Sequence, residues 1–166
     1  MNVEIVQDSG KRCFFMCIHD TKCVFLVEDN PDDEALTLRA INKLSMNCEV
    51  MVAHDGAEAL RLLTPENEQQ GSSRICPDVI LLDLKIPKID GLEVLEKLRS
   101  HKRTATVPVV VLTSSSEDTD ITASYRKGAN SFIRKPIEFD RFMKEMAQVG
   151  RYWLSINLSP TPCCPL

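Results

Sequence analysis

The sequence has 166 residues, of which 27% are charged and 43% hydrophobic, proportions typical of one globular domain that buries a core. Its net charge of −4 argues against nucleic acid and against a membrane surface as partners. Seven cysteines without the paired spacing of zinc sites predict reduced thiols, and no signal-peptide pattern is evident, so we expect a cytoplasmic protein.

Organised sequence begins after an N-terminal arm to which no role can be assigned. The apolar run 13–18 in this arm leaves two possibilities open, a weak extra strand or a loose segment. The run Cys23–Val27 is apolar without alternation, as in a strand buried on both faces, and it ends in Glu28 and Asp29. We expect the chain to divide into an arm at 1–21, one domain at 22–150, and an extension with a tail at 151–166.

The same pattern recurs along the domain, with each apolar run followed by a helical spacing of apolar residues. The loop at 64–77 is longer than usual for a connection of this kind. Five strands alternating with five helices predict an α/β fold, a doubly wound parallel sheet with helices on both faces. The later strands are predicted at 48–53, 79–82, 108–112 and 131–134, and the later helices at about 57–63, 92–99, 117–127 and 139–149.

Polar side chains stand where the predicted strands end. Glu28 and Asp29 follow the first strand, Asp83 the third, Thr113 the fourth and Lys135 the fifth. In a doubly wound sheet these ends lie along one edge, where such folds bind their ligands. Grouped carboxylates repel one another unless a cation intervenes, and oxygen ligands suit Mg²⁺. With a lysine and a hydroxyl added, the edge is suited to a phosphoryl group on or beside a carboxylate.

These residues resemble the receiver domain of two-component response regulators, over Cys23 to about Gln148. The resemblance rests on the acidic pair, the aspartate in VILLDLKIPKIDG, the hydroxyl in VVVLTSS and the lysine of RKP. It implies a flavodoxin-like sheet of order 2-1-3-4-5 and a cis Lys135–Pro136 bond. It further implies that a sensor histidine kinase phosphorylates Asp83, and that the protein is a phosphorelay receiver rather than an enzyme acting on other substrates.

The resemblance also implies a role for each matching residue. The phosphoacceptor is Asp83, and the residues that would hold Mg²⁺ are Glu28, Asp29, Asp83 and the backbone carbonyl of Lys85. Thr113 and Lys135 would bind the phosphoryl oxygens. The aromatic switch position, three residues before the lysine, is Phe132, where many receivers have tyrosine.

Two other functions fit a strand-end aspartate. A phosphatase of the haloacid-dehalogenase type needs a second acid two residues after its nucleophile, where this chain has Lys85. A flavodoxin-like flavin protein needs a first loop that cradles phosphate, which the acidic residues from Glu28 to Asp33 would repel.

The C-terminal segment carries a second resemblance. Its sequence ANSFIRKPIEFDRFMKEMAQVGRYWLSINLSP is similar to small single-domain response regulators paired with bacteriophytochrome-type histidine kinases, which tend to dimerise through such an extension. We therefore expect a homodimer formed through the last helix and Tyr152–Leu154, with this segment continuing as a strand or loop, and output by protein–protein contact without a DNA-binding domain. The alternative is that the segment folds back onto the domain's own core.

Overall fold

The computed structural model describes residues 5–6, 21–44, 46–64, 75–114, 118–135 and 138–158. They form one sheet of six parallel strands in the order β1-β3-β2-β4-β5-β6. The last five strands in sequence reproduce the expected order 2-1-3-4-5, so the predicted doubly wound fold is confirmed. The strands are β1 (Ile5–Val6), β2 (Lys22–Val27), β3 (Cys48–Ala53), β4 (Val79–Leu82), β5 (Val109–Thr113) and β6 (Ser131–Arg134).

Helices follow the strands much as their apolar spacing predicted. Asn30 caps the first helix, its side-chain oxygen accepting the backbone N–H groups of Asp32 and Asp33, while Pro31 supplies the first helical residue. Asp55 and Asp90 cap two others in the same way. The helices are α1 (Pro31–Asn42), α2 (Gly56–Leu63), α3 (Gly91–Ser100), α4 (Asp118–Arg126) and α5 (Phe139–Arg151).

The unbroken apolar runs fill two cores, one on each face of the sheet. Successive side chains of a strand point to opposite faces. Phe25 and Val27 therefore join the core beneath α2 and α3, while Val24 and Leu26 join the core beneath α1 and α5. This two-sided burial explains why the strands show no polar alternation, and it leaves their ends to carry the polar chemistry.

The N-terminal arm contributes the short strand β1 to the sheet. Ile5 pairs with Val50 and Val6 with Met51, parallel to β3 at the edge of the sheet. The apolar run 13–18 lies outside the described residues, so the two possibilities for it stay open. Within the described ranges no helix combines the length and the apolar character needed to cross a membrane.

The cysteines depart from the sequence expectation at one position. Cys23 and Cys48 are buried free thiols, and burial raises the pKa of Cys48. Cys76, just before β4, is disulfide-bonded. The expectation that all seven thiols are reduced is therefore wrong at Cys76.

The segment after α5 continues as a helix, not as the strand or loop expected from its sequence. Residues Tyr152–Ile156 form a single π-helical turn, closed by a hydrogen bond of 2.7 Å from the Asn157 N–H to the Tyr152 carbonyl oxygen. Leu154 is buried in the core beneath α1 and α5, and Trp153 packs against that core. Tyr152 and Ile156 remain about half exposed, at 48% and 58%. The wider turn thus divides the segment between the core and the surface.

Candidate functional site

Lys135 lies at the centre of the site, at the carboxyl end of β6. Its backbone N–H donates to the Thr113 carbonyl oxygen at 2.8 Å, which fixes it beside the end of β5. Its ammonium nitrogen lies 2.5 Å from Glu28 Oε2, 2.7 Å from Asp83 Oδ2 and 2.8 Å from Asp33 Oδ2. Although burial opposes the charge, hydrogen bonds to the three carboxylates hold the pKa of Lys135 above its ordinary value. The ammonium therefore stays protonated and ties three elements together.

Glu28 is a buried carboxyl at the end of β2. Burial raises its pKa to about 7, although the hydrogen bond from Lys135 acts in the opposite direction. Its second oxygen accepts the Asn30 N–H at 3.2 Å, which orients the side chain toward the site. Lys135 and the Asn30 N–H thus hold Glu28 in place, although burial disfavours its ionised form.

Asp83 follows β4, the central strand of the sheet, and is 6% exposed. One carboxylate oxygen contacts Lys135, and the other accepts the Lys85 N–H at 3.1 Å. The loop that follows closes on the residue after Asp83, since the Gly91 N–H donates to the Leu84 carbonyl at 2.9 Å. The carboxylate is accordingly oriented on both oxygens and faces the edge where the strand ends meet.

Thr113 and Phe132 lie on β5 and β6, the two strands that follow β4 across the sheet. Thr113 is fully buried at the carboxyl end of β5. Phe132 on β6 is partly buried against the core beneath α2 and α3. The Lys135–Pro136 bond that the resemblance predicts to be cis includes Pro136, which lies outside the described residues.

Comparison with known proteins agrees with the resemblance to receiver domains that the sequence shows. Residues 24–147 match the family described as the response regulator receiver domain. The chain belongs to this family. The phosphatase and flavin-protein alternatives are therefore set aside.

This chain also matches two known proteins over nearly the whole of their length. The probable methanogenesis regulatory protein FilR2 of Methanothrix harundinacea is 36% identical over 143 residues, 86% of this chain and 90% of FilR2. The response regulator Rcp1 of Synechocystis is 33% identical over 84% of this chain and 93% of its own length.

Two solved structures are similar in fold as well as in sequence. The phosphorylated cyanobacterial phytochrome response regulator RcpA has a TM-score of 0.79 and 36% identity, covering 85% of this chain and 99% of its own. The Mn²⁺-bound form of Rcp1 has a TM-score of 0.76 and 32% identity, covering 84% and 99%.

The oxygen-only chemistry of this receiver site fits a divalent cation. Glu28, Asp33 and Asp83 each offer a carboxylate oxygen, and these atoms lie within 4.8 Å of one another. Hard cations such as Mg²⁺ and Mn²⁺ prefer oxygen donors of this kind. Three carboxylates against one ammonium leave an excess of negative charge that a divalent ion offsets.

Asp33 joins the carboxylate cluster although the sequence analysis did not select it, and the metal role expected of Asp29 stays a prediction. Asp29 is exposed in the connection between β2 and α1 and is not one of the three clustered carboxylates. Asp33 lies one turn further on, in the first turn of α1. Helical side chains lean toward the helix N-terminus, here toward the sheet edge. The start of α1 thus brings Asp33 to the sheet edge, a placement that the sequence analysis did not predict.

Proposed function

We propose that Asp83 accepts a phosphoryl group from a phosphohistidine of a sensor histidine kinase. The observation that carries this proposal is the Asp83 carboxylate, buried at the end of the central strand between the Lys135 ammonium and the Lys85 N–H. An Asp83 oxygen forms the new bond to phosphorus as the donor's P–N bond breaks, and the imidazole nitrogen keeps the electron pair and takes up a proton. The domain catalyses only this transfer and its own dephosphorylation.

The cofactor in this proposal is Mg²⁺, held by Asp83, Asp29 and the backbone carbonyl of Lys85, with Glu28 assisting. Support comes from Glu28 and Asp83, whose oxygens belong to the carboxylate cluster that does not include Asp29, and from the Mn²⁺-bound form of the similar Rcp1. When bound, the cation offsets negative charge on the phosphoryl oxygens and lets the donor approach. Glu28 and Asp83 are already oriented toward the same edge by Lys135.

Thr113 and Lys135 have the proposed task of binding phosphoryl oxygens after transfer. Lys135 already contacts Asp83 and needs only to exchange a carboxylate oxygen for a phosphoryl oxygen. Phe132 is the proposed switch residue, because it lies on the same short strand end and is only partly buried. A rearrangement there would carry the phosphorylation state to the surface formed by α4, β6 and α5.

The proposed partner kinase is of the phytochrome type, supported by the likeness to RcpA, a phytochrome response regulator. We further propose that the domain acts in the cytoplasm and signals by protein contact rather than by binding nucleic acid. The division into an arm at 1–21, a receiver at 22–150 and an extension at 151–166 is kept as part of this proposal.

The proposed homodimer uses α5 and the segment from Tyr152 to Ile156. The inward side of α5 is already occupied, since Phe142 and Met146 are buried in the domain's own core. Tyr152 and Ile156 remain exposed at the C-terminal end of this helix, whereas Phe139, beneath the Arg39 guanidinium, lies at its other end. Exposed aromatic and aliphatic side chains grouped at one helix end are typical of an interface.

Incorporation of phosphate from acetyl phosphate tests the proposed function. We expect labelling of the full chain with Mg²⁺, and loss of labelling with a chelator or in Asp83→Asn. The control is Asp78→Asn, which changes the carboxylate at the opposite end of the same strand, where Asp78 pairs with Lys22. Equal labelling of Asp83→Asn and Asp78→Asn would refute Asp83 as the acceptor.

A further inference from the structure

The three N–H donors of the Lys135 ammonium are matched one to one with carboxylates. Glu28 follows β2, Asp83 follows β4 and Asp33 belongs to α1, so the partners come from three separate elements. An ammonium group has three donors and no more. In this arrangement Lys135 can contact a phosphoryl oxygen only by giving up one of the three carboxylates.

Two of these partners are engaged by the chemistry of the proposed function, on which this inference rests. Asp83 loses its free carboxylate when it is phosphorylated, and in the proposed function Glu28 and Asp83 would also serve a bound cation. Asp33 also belongs to the carboxylate cluster, but the proposed function gives it neither the phosphoryl group nor a ligand role. It is also the most accessible of the three, with a side chain 34% exposed against 1% for Glu28 and 8% for Asp83.

The position of Asp33 is fixed by the start of α1. Its backbone N–H donates to the Asn30 side chain at 3.2 Å, in the cap that begins the helix. The next residue, Glu34, contacts the His54 ring at 3.0 Å, which joins the same helical turn to the end of β3. The first turn of α1 is therefore tied to its own cap and to the residue after β3, and Asp33 presents its carboxylate from this turn.

We propose that Asp33 is a positioning residue, which keeps the Lys135 ammonium in the site while the phosphoryl group is transferred. With acetyl phosphate as donor, an Asp83 oxygen bonds to phosphorus, the donor's P–O bond breaks, and acetate leaves with the electron pair. Asp33 and Lys135 form and break no covalent bond in this step. Asp33 keeps the Lys135 ammonium at the place where the phosphoryl oxygens arrive, even when the ammonium has lost its contacts with the other carboxylates.

The rate of phosphorylation by acetyl phosphate at saturating Mg²⁺ tests this role. Partners that orient the residues of an active centre typically change its performance by 10- to 100-fold, so we expect Asp33→Asn to slow labelling by about 10-fold. Asp33→Glu keeps a carboxylate and should recover most of the rate. The matched control is Asp32→Asn, which removes the same charge from the same helical turn at an exposed position.

A second measurement follows the ammonium directly, by ¹⁵N NMR of the lysine side chains with Mg²⁺ present. A slowly exchanging Lys135 signal should persist in the wild type and in Asp32→Asn, and should be lost in Asp33→Asn although its melting temperature is kept. If wild-type protein is labelled and Asp33→Asn behaves like Asp32→Asn in both measurements, the role of Asp33 is refuted and the proposed function stands. If the wild type is not labelled at all, both proposals fail.

Discussion

Lys135 supplies the positive charge that makes the buried carboxylates of the site compatible with a folded protein. Its side chain is 8% exposed and contacts Glu28, which is 1% exposed, and Asp83, which is 8% exposed. Removing one partner of a buried ion pair leaves a charge without compensation, and this is far more costly than losing a surface pair. The residue is therefore central to stability as well as to the proposed chemistry.

Replacing Lys135 by methionine tests this dependence. We expect Lys135→Met to lower the free energy of unfolding by about 3 kcal/mol in the absence of divalent cations. Millimolar Mg²⁺ should restore more stability to the variant than to the wild type, because the cation then takes over the charge. Chemical denaturation with and without Mg²⁺ measures both effects.

Lys22 provides the control for that substitution. It too pairs with an aspartate, Asp78, at 2.9 Å, but its side chain is 42% exposed. Exposed pairs contribute about 0–1 kcal/mol, so Lys22→Met should cost less than 1 kcal/mol and should not respond to Mg²⁺. Equal losses in the two variants would show that the buried charges have another source of stabilisation.

At the scale of elements, the loop after β4 and the start of α2 support each other. Asp55 caps α2 by accepting the Glu58 N–H at 2.8 Å, and its other oxygen contacts the Lys88 ammonium at 2.5 Å. The Gly56 N–H donates to the Pro87 carbonyl at 3.3 Å. Lys88 itself has a φ of 66°, in the left-handed region that side chains other than glycine seldom adopt. The loop that leads away from Asp83 is thus braced on a neighbouring helix.

Asp55 predicts a pH dependence of stability. The hydrogen bond from Lys88 and then the Glu58 N–H hold the pKa of Asp55 below its ordinary value. A carboxyl with a depressed pKa stabilises the fold at pH values above the unfolded pKa, and this contribution is lost as the pH falls through the folded one. In thermal melts from pH 6 to pH 2.5, Asp55→Asn should lose less stability than the wild type over the acid limb.

Two substitutions at Asp55 separate the cap from the charge. Asparagine caps a helix about as well as aspartate, so Asp55→Asn should cost only a few tenths of a kcal/mol at pH 7. Asp55→Ala removes the cap as well and should cost about 1 kcal/mol. A loss from Asp55→Asn as large as that from Asp55→Ala would contradict the capping role.

Gly91, the first residue of α3, lies against the backbone of Asp83 and Leu84. A Cβ atom at this position would lie 2.4 Å from the Asp83 carbonyl oxygen and 2.6 Å from the Leu84 Cα, and both neighbours are backbone atoms. We expect Gly91→Ala to destabilise the fold by about 1–3 kcal/mol and to slow phosphorylation, because the strain displaces Asp83. Glu93→Ala, at an exposed position on the same helix, should leave the labelling rate unchanged; slowing by both variants would point to a general effect of α3.

The sequence predicted the sheet well because the inner strands β2, β4 and β5 are buried along nearly their whole length and lead into polar residues. It predicted less where the outcome depended on neighbours far along the chain. The pairing of Ile5–Val6 with β3 has no local signal, and the alternation of Tyr152, Trp153 and Leu154 between surface and core follows from a π turn that periodicity does not reveal. Asp33 was overlooked because its role needs Lys135, 102 residues away in the chain.

At the scale of the whole molecule, the proposed dimer depends on the exposed part of the C-terminal segment. Truncation after Gly150 is a poor test, since it also removes Leu154 from the core. Replacing Tyr152 and Ile156 together by serine should instead raise the dimer dissociation constant by about 30-fold, roughly 2 kcal/mol, because buried aromatic side chains dominate interface energies. Sedimentation velocity over a concentration series measures this constant.

Tyr125→Ser provides the control for the dimer experiment. Tyr125 is 50% exposed on α4, close to the 48% of Tyr152, but it lies on another helix. This variant should dimerise like the wild type. A wild-type chain that stays monomeric at high micromolar concentration, whether phosphorylated or not, would end the dimer proposal.

The most direct test of the central claim is to identify the atom that carries the phosphoryl group. Borohydride reduces an aspartyl phosphate to homoserine, which peptide mass spectrometry then locates in the chain. After acetyl phosphate and Mg²⁺, homoserine should appear at position 83 and nowhere else, and its yield should fall to background with a chelator. Homoserine at Asp29 or Asp33, or stable labelling without any homoserine, would contradict the assignment of Asp83 as the phosphoacceptor.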